Sequence, residues 1–511
     1  MIKVNFLFRI VVLVILGGRF LSVKSEVSDT VQRHRVIVST DIGGTDYDDF
    51  QSLVHLLVYA DTFDIEGIIS SPYGNGRKHH ILECIDAYEA DYENLKAYSY
   101  KYPSADSLRK ITMQGAIDSP NPTGYSQPTE GSEWIIECAR RDDPRPLNIL
   151  IWGGIEDLAQ ALHDAPDILP KLHVYFIGGP NKKWTVNAYQ YIAENFPDLW
   201  MIEANATYRG WFLGGDQSGV WSNNKFVETY IKGFGALGNY FYSKGSSMKM
   251  GDTPSLTRLL YGVPDDPEQP GWGGMFVRAW ERPHKIYKRV TTSQDSIEQF
   301  GVLEILLPFD TNTVSNPVAT MNIDRPIEAL VLKDTVKFLF SPKDGPKNYN
   351  YTISSNIASI NNLSGSIISF RPPASNKLKP SPNYQNWWTD DPSAEYTERG
   401  YIGVKTLNIW RRDFLQDFAN RMKRCKSLST VQYKLSIDDN ITVFPTLVND
   451  YVTVSSPKQY QAQGHIEIYN IHGKLLNKFE LGPCQDSLAI NTVALMPGFY
   501  VVRVSIGSVT V

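Results

Sequence analysis

Arg35-Val36-Ile37-Val38-Ser39-Thr40-Asp41-Ile42-Gly43-Gly44-Thr45-Asp46-Tyr47-Asp48-Asp49 is the stretch that decides the fold of this 511-residue chain. A β-favouring run enters a turn loosened by two glycines, and residues 50–60 then read as a helix. The pattern repeats. Residues 64–69 read as a second strand, followed by a helix over 81–91. Residues 147–152, 172–177 and 199–203 read as three more strands, with helices over 158–162 and 188–195 between them. Strands alternating with helices predict an α/β, doubly wound, mostly parallel sheet covered on both faces. We assign this domain to 33–300.

The character changes beyond it. Residues 301–372 carry repeated β-type runs and read as a small all-β element, inserted or appended. A Pro-rich passage and a helix fill 373–427, with Phe414, Phe418 and Met422 on one helical face suited to packing back on the main domain. From about residue 428 the chain is β again, and 443–511 reads as a small β-sandwich. All eleven tryptophans lie between Trp134 and Trp410, so the tail is a separate module.

Composition removes several classes. Fifty Lys and Arg against fifty-five Asp and Glu give a net charge of -5, which excludes binding driven by nucleic-acid phosphates. Four scattered cysteines make neither a disulfide scaffold nor a zinc ribbon. Lys3 and Arg9 precede an apolar run over 10–18, too short for the ~20 residues of a transmembrane helix. We read 1–25 as a signal peptide cleaved near Ser22 or Ser25, the alternative being a buried N-terminal element. No other segment is long and apolar enough to span a membrane.

Ligands of open parallel sheets bind beyond the carboxyl ends of the strands. There this chain places Asp41, Asp46, Asp48 and Asp49, then Asn75, Trp152, Asn181, Glu203 and Asn205. Four aspartates within nine residues repel one another unless a cation gathers them, and carboxylates suit Ca²⁺ or Mg²⁺. The same residues read equally as a capped turn, with Asp48 and Gln51 as a capping box and Asp46 in an Asx-turn. Trp152, Trp184, Trp211, Trp221 and Trp272 fall in or near predicted loops on this edge, as sugar-stacking rings or as core.

These motifs resemble those of nucleoside hydrolases. Asp41, Asp48 and Asp49 after a Val-Ile-Val strand are similar to the family's opening aspartate motif, with three extra loop residues. The 67–75 segment ending in Gly74-Asn75, the Trp152-Gly153-Gly154-Ile155-Glu156-Asp157 turn, Gly178-Gly179 and Gly251-Asp252-Thr253-Pro254 follow in order. Over roughly 33–425 the chain is most similar to a nucleoside-hydrolase-like family described as cellulose-binding. The resemblance implies Ca²⁺ held by Asp41, Asp49, Asp252 and a backbone carbonyl at Trp152. It also implies Asp41 as general base towards water, with Asp48 and Asn75 binding the sugar. The family's Glu-x-x-Asn ribose clamp has no clear counterpart, and the candidates for it are Glu203 with Asn205, or Asn181. That is one departure, and a second is that Gly251 occupies the place of the His that assists departure of the base.

The tail, from Phe444-Pro445-Thr446-Leu447 to Met496-Pro497-Gly498-Phe499-Tyr500, resembles the C-terminal sorting domain of type IX secretion in Bacteroidetes-like bacteria. The expectation is therefore a secreted or cell-surface, calcium-dependent, glycoside-cleaving hydrolase with a carbohydrate or glycoside substrate, exported by that machinery. The alternatives are a non-catalytic carbohydrate-binding protein and an extracellular ribonucleoside N-glycosidase.

Overall fold

The computed structural model describes residues 33–426 except 45, 73, 118–120, 282 and 375–377, together with Val12–Val14 and strand segments between 442 and 510. The expected signal segment otherwise lies outside the described residues. Two compact units are formed, 31–430 and the pair 1–30 with 431–511.

The larger unit is built on one eight-stranded sheet. Its strands are β1 (His34–Thr40), β2 (Phe63–Ser70), β3 (Thr112–Gln114), β4 (Leu147–Ile151), β5 (Leu172–Ile177), β6 (Trp200–Ala204), β7 (Phe276–Arg278) and β8 (Trp387–Asp390). The order is β3-β2-β1-β4-β5-β6-β8-β7. Every neighbouring pair is parallel except β7 with β8. All five strands expected from sequence are present. The chain runs outward from β1 to β3 on one side and from β4 to β6 on the other. The switch point therefore falls between β1 and β4, the place where open parallel sheets bind ligands at the carboxyl ends.

Alternation within β1 sends Val36 and Val38 into one core and Ile37 into the other. The helices Asp48–Val58, Lys78–Lys96, Gly235–Lys244 and Arg411–Met422 cover the first face. Glu130–Ala139, Glu156–Asp164 and Val186–Asn195 cover the second. Cys84 and Cys138 are buried free thiols in opposite cores, so the sheet separates them.

Between β7 and β8 the chain makes a sandwich of a five-stranded and a four-stranded sheet around Ile297, Leu303, Ile305, Met321, Phe338 and Ile367. It then re-enters the main sheet as β8, where Trp387 pairs with Met201 and Thr389 with Glu203. In the smaller unit, Gly464–Asn470 lies between Leu475–Leu481 and Gly498–Ile506, and Val12–Val14 runs antiparallel to part of the last. A three-stranded sheet of Thr442–Phe444, Tyr451–Ser455 and Ser487–Asn491 completes it.

Candidate functional site

Asp41 is the first residue beyond β1, and its loop is tied down by short polar contacts. The Thr40 hydroxyl donates to Asp49 and accepts from the Ile42 amide at 3.1 Å. The Gly44 amide donates to the Asp41 carbonyl at 2.8 Å. Asp46 accepts from the Asp48 amide at 3.2 Å, which is the Asx-turn the spacing suggests. The capping box is not formed, because the helix starts at Asp48 and Gln51 is used elsewhere. Gln51 donates to the Ser247 carbonyl at 3.0 Å and accepts from the Lys249 amide at 2.8 Å. That clamp holds the 247–249 segment against the first helix and carries Asp252 to the loop.

Carboxylate oxygens of Asp48, Asp49 and Asp252 lie within 4.8 Å of one another. Asp41 hydrogen-bonds to Asp49 and completes a quartet of buried side chains. Burial pushes Asp41 up to about 7, with the hydrogen bond to Asp49 opposing the shift. Burial raises Asp49 and Asp252 well above the ordinary carboxylate range, and the charge of Asp41 adds to both. Asp252 Oδ2 is buried with no hydrogen-bond partner. The facing cation is Lys249, at the half-exposed rim, which pairs with Asp46 and lies 3.4 Å from Asp48. An orphaned carboxylate oxygen among hard oxygen donors is the chemistry of a Ca²⁺ or Mg²⁺ site.

Trp152 braces this cluster. Its amide donates to Ser39 at 2.7 Å, and its carbonyl accepts from Asn181 Nδ2 at 2.9 Å. Its indole N–H donates to Ser255 Oγ at 2.8 Å, which donates in turn to the Asp252 carbonyl at 2.7 Å. A Cβ on the next residue, Gly153, would meet Asp41 Cγ at 2.7 Å, so this strap runs directly against the aspartates. A Cβ at Gly251 would lie 2.5 Å from Asp48 Oδ2. The position the family gives to His is thus packed against a carboxylate of the cluster.

The remaining expected residues are spread along the same edge. Asn75 is exposed on the loop after β2. Asn181 also donates to the Ile177 carbonyl at 3.0 Å, tying the ends of β4 and β5 together. Glu203 is buried and accepts from Lys182 Nζ, from Tyr189 Oη at 2.6 Å and from Asn205 Nδ2 at 2.8 Å. Asp390, at the end of β8, accepts from the amides of Asn205, Ala206 and Thr207 and fixes that turn. Glu203 and Asn205 line a cleft with Trp280, Phe300, Ile402 and Glu298. Glu298 comes from the inserted sandwich, and burial raises its carboxyl to about 7 against the opposing charge of Lys182. Sequence reasoning missed Glu298, whose neighbours Lys182 and Glu203 are remote in the chain. Of the tryptophans, Trp152 and Trp211 are core residues, the latter stacked on Phe414 with ring centroids 3.8 Å apart. Trp184, Trp221 and Trp272 are half-buried.

Residues 35–276 match the family described as cellulose-binding Sde182, nucleoside hydrolase-like domain. That segment is a nucleoside-hydrolase-like domain. Residues 442–511 match the secretion system C-terminal sorting domain, which marks the chain for type IX secretion or cell-surface export. Among the described residues no helix is long and apolar enough to cross a membrane. Similar solved structures include a nucleoside hydrolase-related protein from Saccharophagus degradans, described as associated with carbohydrate metabolism. It is 19% identical, covering 67% of this chain and 100% of that one, with a TM-score of 0.42. Another is an inosine-uridine preferring nucleoside hydrolase from Bacillus anthracis, 14% identical over 43% of this chain and 80% of that one, with a TM-score of 0.25. No curated protein matches the chain.

Proposed function

We propose that the nucleoside-hydrolase-like domain is a calcium-dependent hydrolase of glycosidic bonds in carbohydrate. The observation that carries this reading is the buried, unpartnered Asp252 Oδ2 beside Asp48 and Asp49 at the switch point of the sheet. Asp41, Asp49, Asp252 and the Trp152 carbonyl would hold the cation, which when bound lowers the pKa of water and grips sugar hydroxyls. Asp41 takes the proton of the attacking water. Asp48 and Asn75 accept sugar hydroxyls, and the surrounding carboxylates favour the positive charge that develops on the sugar ring. Trp152 and Gln51 position the acidic groups without touching substrate.

Gly251 favours a second reading, sugar binding without turnover, because the residue that assists the leaving group in nucleoside hydrolases is absent. Release of sugar by the full chain, from nucleosides and from plant-polysaccharide fragments, separates the two. Release from a polysaccharide fragment that needs calcium and is abolished by Asp49→Ala is the expected result. Sugar binding without release from any member of the set would replace the hydrolase reading with the binding one. Release from inosine or uridine alone would make the domain a nucleoside N-glycosidase.

A further inference from the structure

The cleft between the β6–β8 end of the sheet and the inserted sandwich has its own unspent chemistry. Glu298, 8% exposed, lines it from the sandwich strand Ser296–Glu298. Among the described residues its carboxylate accepts no hydrogen bond. Asn205, 6% exposed, lines it from the end of β6. Its Nδ2 is committed to Glu203, which leaves Oδ1 buried with no partner. Asn205 Oδ1 is a buried acceptor without a donor, which is costly, and Glu298 brings unused acceptors to the same lining, so the cleft calls for a ligand that carries O–H or N–H groups.

The rest of the lining narrows the class. Glu203 is already served by Lys182, Tyr189 and Asn205, and Lys182 also donates to the Phe300 carbonyl at 2.9 Å. Lys182 therefore supplies a positive charge behind the lining residues Glu203 and Phe300, so the cleft does not need a metal ion. Trp280, half-buried, and Phe300 give apolar surface on the same cleft. Acceptors beside aromatic surface match a ring with hydroxyls on its rim and C–H bonds on its face.

We propose that this cleft is a second sugar subsite, in which Glu298 and Asn205 accept hydroxyl protons from a pyranose unit and Trp280 packs on its face. The proposal rests on the reading of the ligand as a glycoside. It makes the inserted sandwich part of the binding surface and the natural ligand an oligosaccharide.

Titration calorimetry of the full chain with cellotetraose, xylotetraose, methyl β-D-glucoside and ethylammonium tests it. At least one tetrasaccharide is expected to bind, and more tightly than the monosaccharide. Glu298→Ala and Trp280→Ala should each weaken that binding at least tenfold, with the melting temperature within about two degrees of wild type. Should Glu298→Ala not fold, Glu298→Gln keeps the shape, replaces one acceptor with a donor and should weaken binding at least threefold. Unchanged affinity in these variants overturns the proposal. So does failure of every sugar to bind, or binding of ethylammonium alone. Asp49→Ala keeps the two readings apart: it should abolish sugar release and leave Glu298-dependent tetrasaccharide binding in place. If wild type binds tetrasaccharides through Glu298 yet releases no sugar, the hydrolase reading fails and the cleft stands.

Discussion

Two groups of buried carboxylates line the same edge of the sheet, and they are neutralised in different ways. At the switch point, Asp41, Asp48, Asp49 and Asp252 face, among the described residues, Lys249 at the rim, and Asp252 Oδ2 is left without a hydrogen-bond partner. At the β6 end, Glu203 receives Lys182 from within the fold, with side-chain exposures of 8% and 1%. Burying an anion is costly in both places. Lys182 offsets that cost permanently, and its link to the Phe300 carbonyl joins sheet to sandwich. The aspartates offset it by holding on to protons or by taking a cation from outside. One cluster carries its own counter-charge, and the other buries its carboxylates with Lys249 only at the rim.

The largest expected effect strikes the Lys182–Glu203 pair. Lys182→Met leaves Glu203 buried and uncompensated and should cost about 3–5 kcal/mol, read from denaturant unfolding of the full chain. Adding Glu203→Gln to the same variant should restore most of the loss. A cost under about 1 kcal/mol would mean that Glu203 is neutralised by something other than Lys182, and the comparison would break.

At the other cluster the proposed function has a cation come from solution. Calcium at a hundred times its dissociation constant should add about 2.7 kcal/mol to the folded state. For a unit of this size that is a rise in melting temperature of roughly 2–4 °C. Asp252→Asn removes a ligand charge and should abolish the rise, whereas Glu298→Gln should leave it intact. Equal loss in both variants would show that calcium does not distinguish the clusters.

A smaller effect is expected from pH. Burial pushes Asp41 up to about 7 in the folded chain and raises Asp49 and Asp252 well above the unfolded carboxylate value as well. Proton binding to these groups therefore favours the folded state. That stabilisation is complete below about pH 4 and is lost as pH rises through 7. With chelator present, the melting temperature should fall between pH 5 and pH 8 more steeply than it does with calcium. Parallel slopes would mean that cation and protons do not compete for the same oxygens.

The contrast between the clusters also marks how far the chain could be read by eye. Asp41 to Asp49 are close in sequence, and the strand before them has an unbroken β-type run, so loop and strand were both legible. Asp252 entered through resemblance alone, since tertiary contacts, the Gln51 clamp and the Trp152–Ser255 strap, bring its segment to the loop. Thr112–Gln114 and Phe276–Arg278 were missed because three residues carry no periodicity. Trp387–Asp390 was missed for another reason. It lies in a proline-rich passage and gains its place only by pairing with β6 after the sandwich has intervened. Glu298 shares that fate, because its partners are set by domain packing and not by spacing.

The smallest expected effect sits at the rim of the aspartate quartet. Lys249 pairs with Asp46 and approaches Asp48, with about a third of its side chain exposed. It has two opposing influences on a bound cation: it repels a divalent charge, and it holds Asp48 towards the cluster. At this exposure solvent screens the first to at most about 1 kcal/mol. The Asp48 amide bond to Asp46 and the start of the helix already fix Asp48, so positioning by Lys249 is redundant. Lys249→Met should therefore tighten calcium binding about threefold, measured by competition with a chromogenic chelator. Weaker binding in this variant would make Lys249 part of the scaffold. The aspartate quartet would then be partly neutralised from within, like Glu203, and the difference between the two clusters would be one of degree.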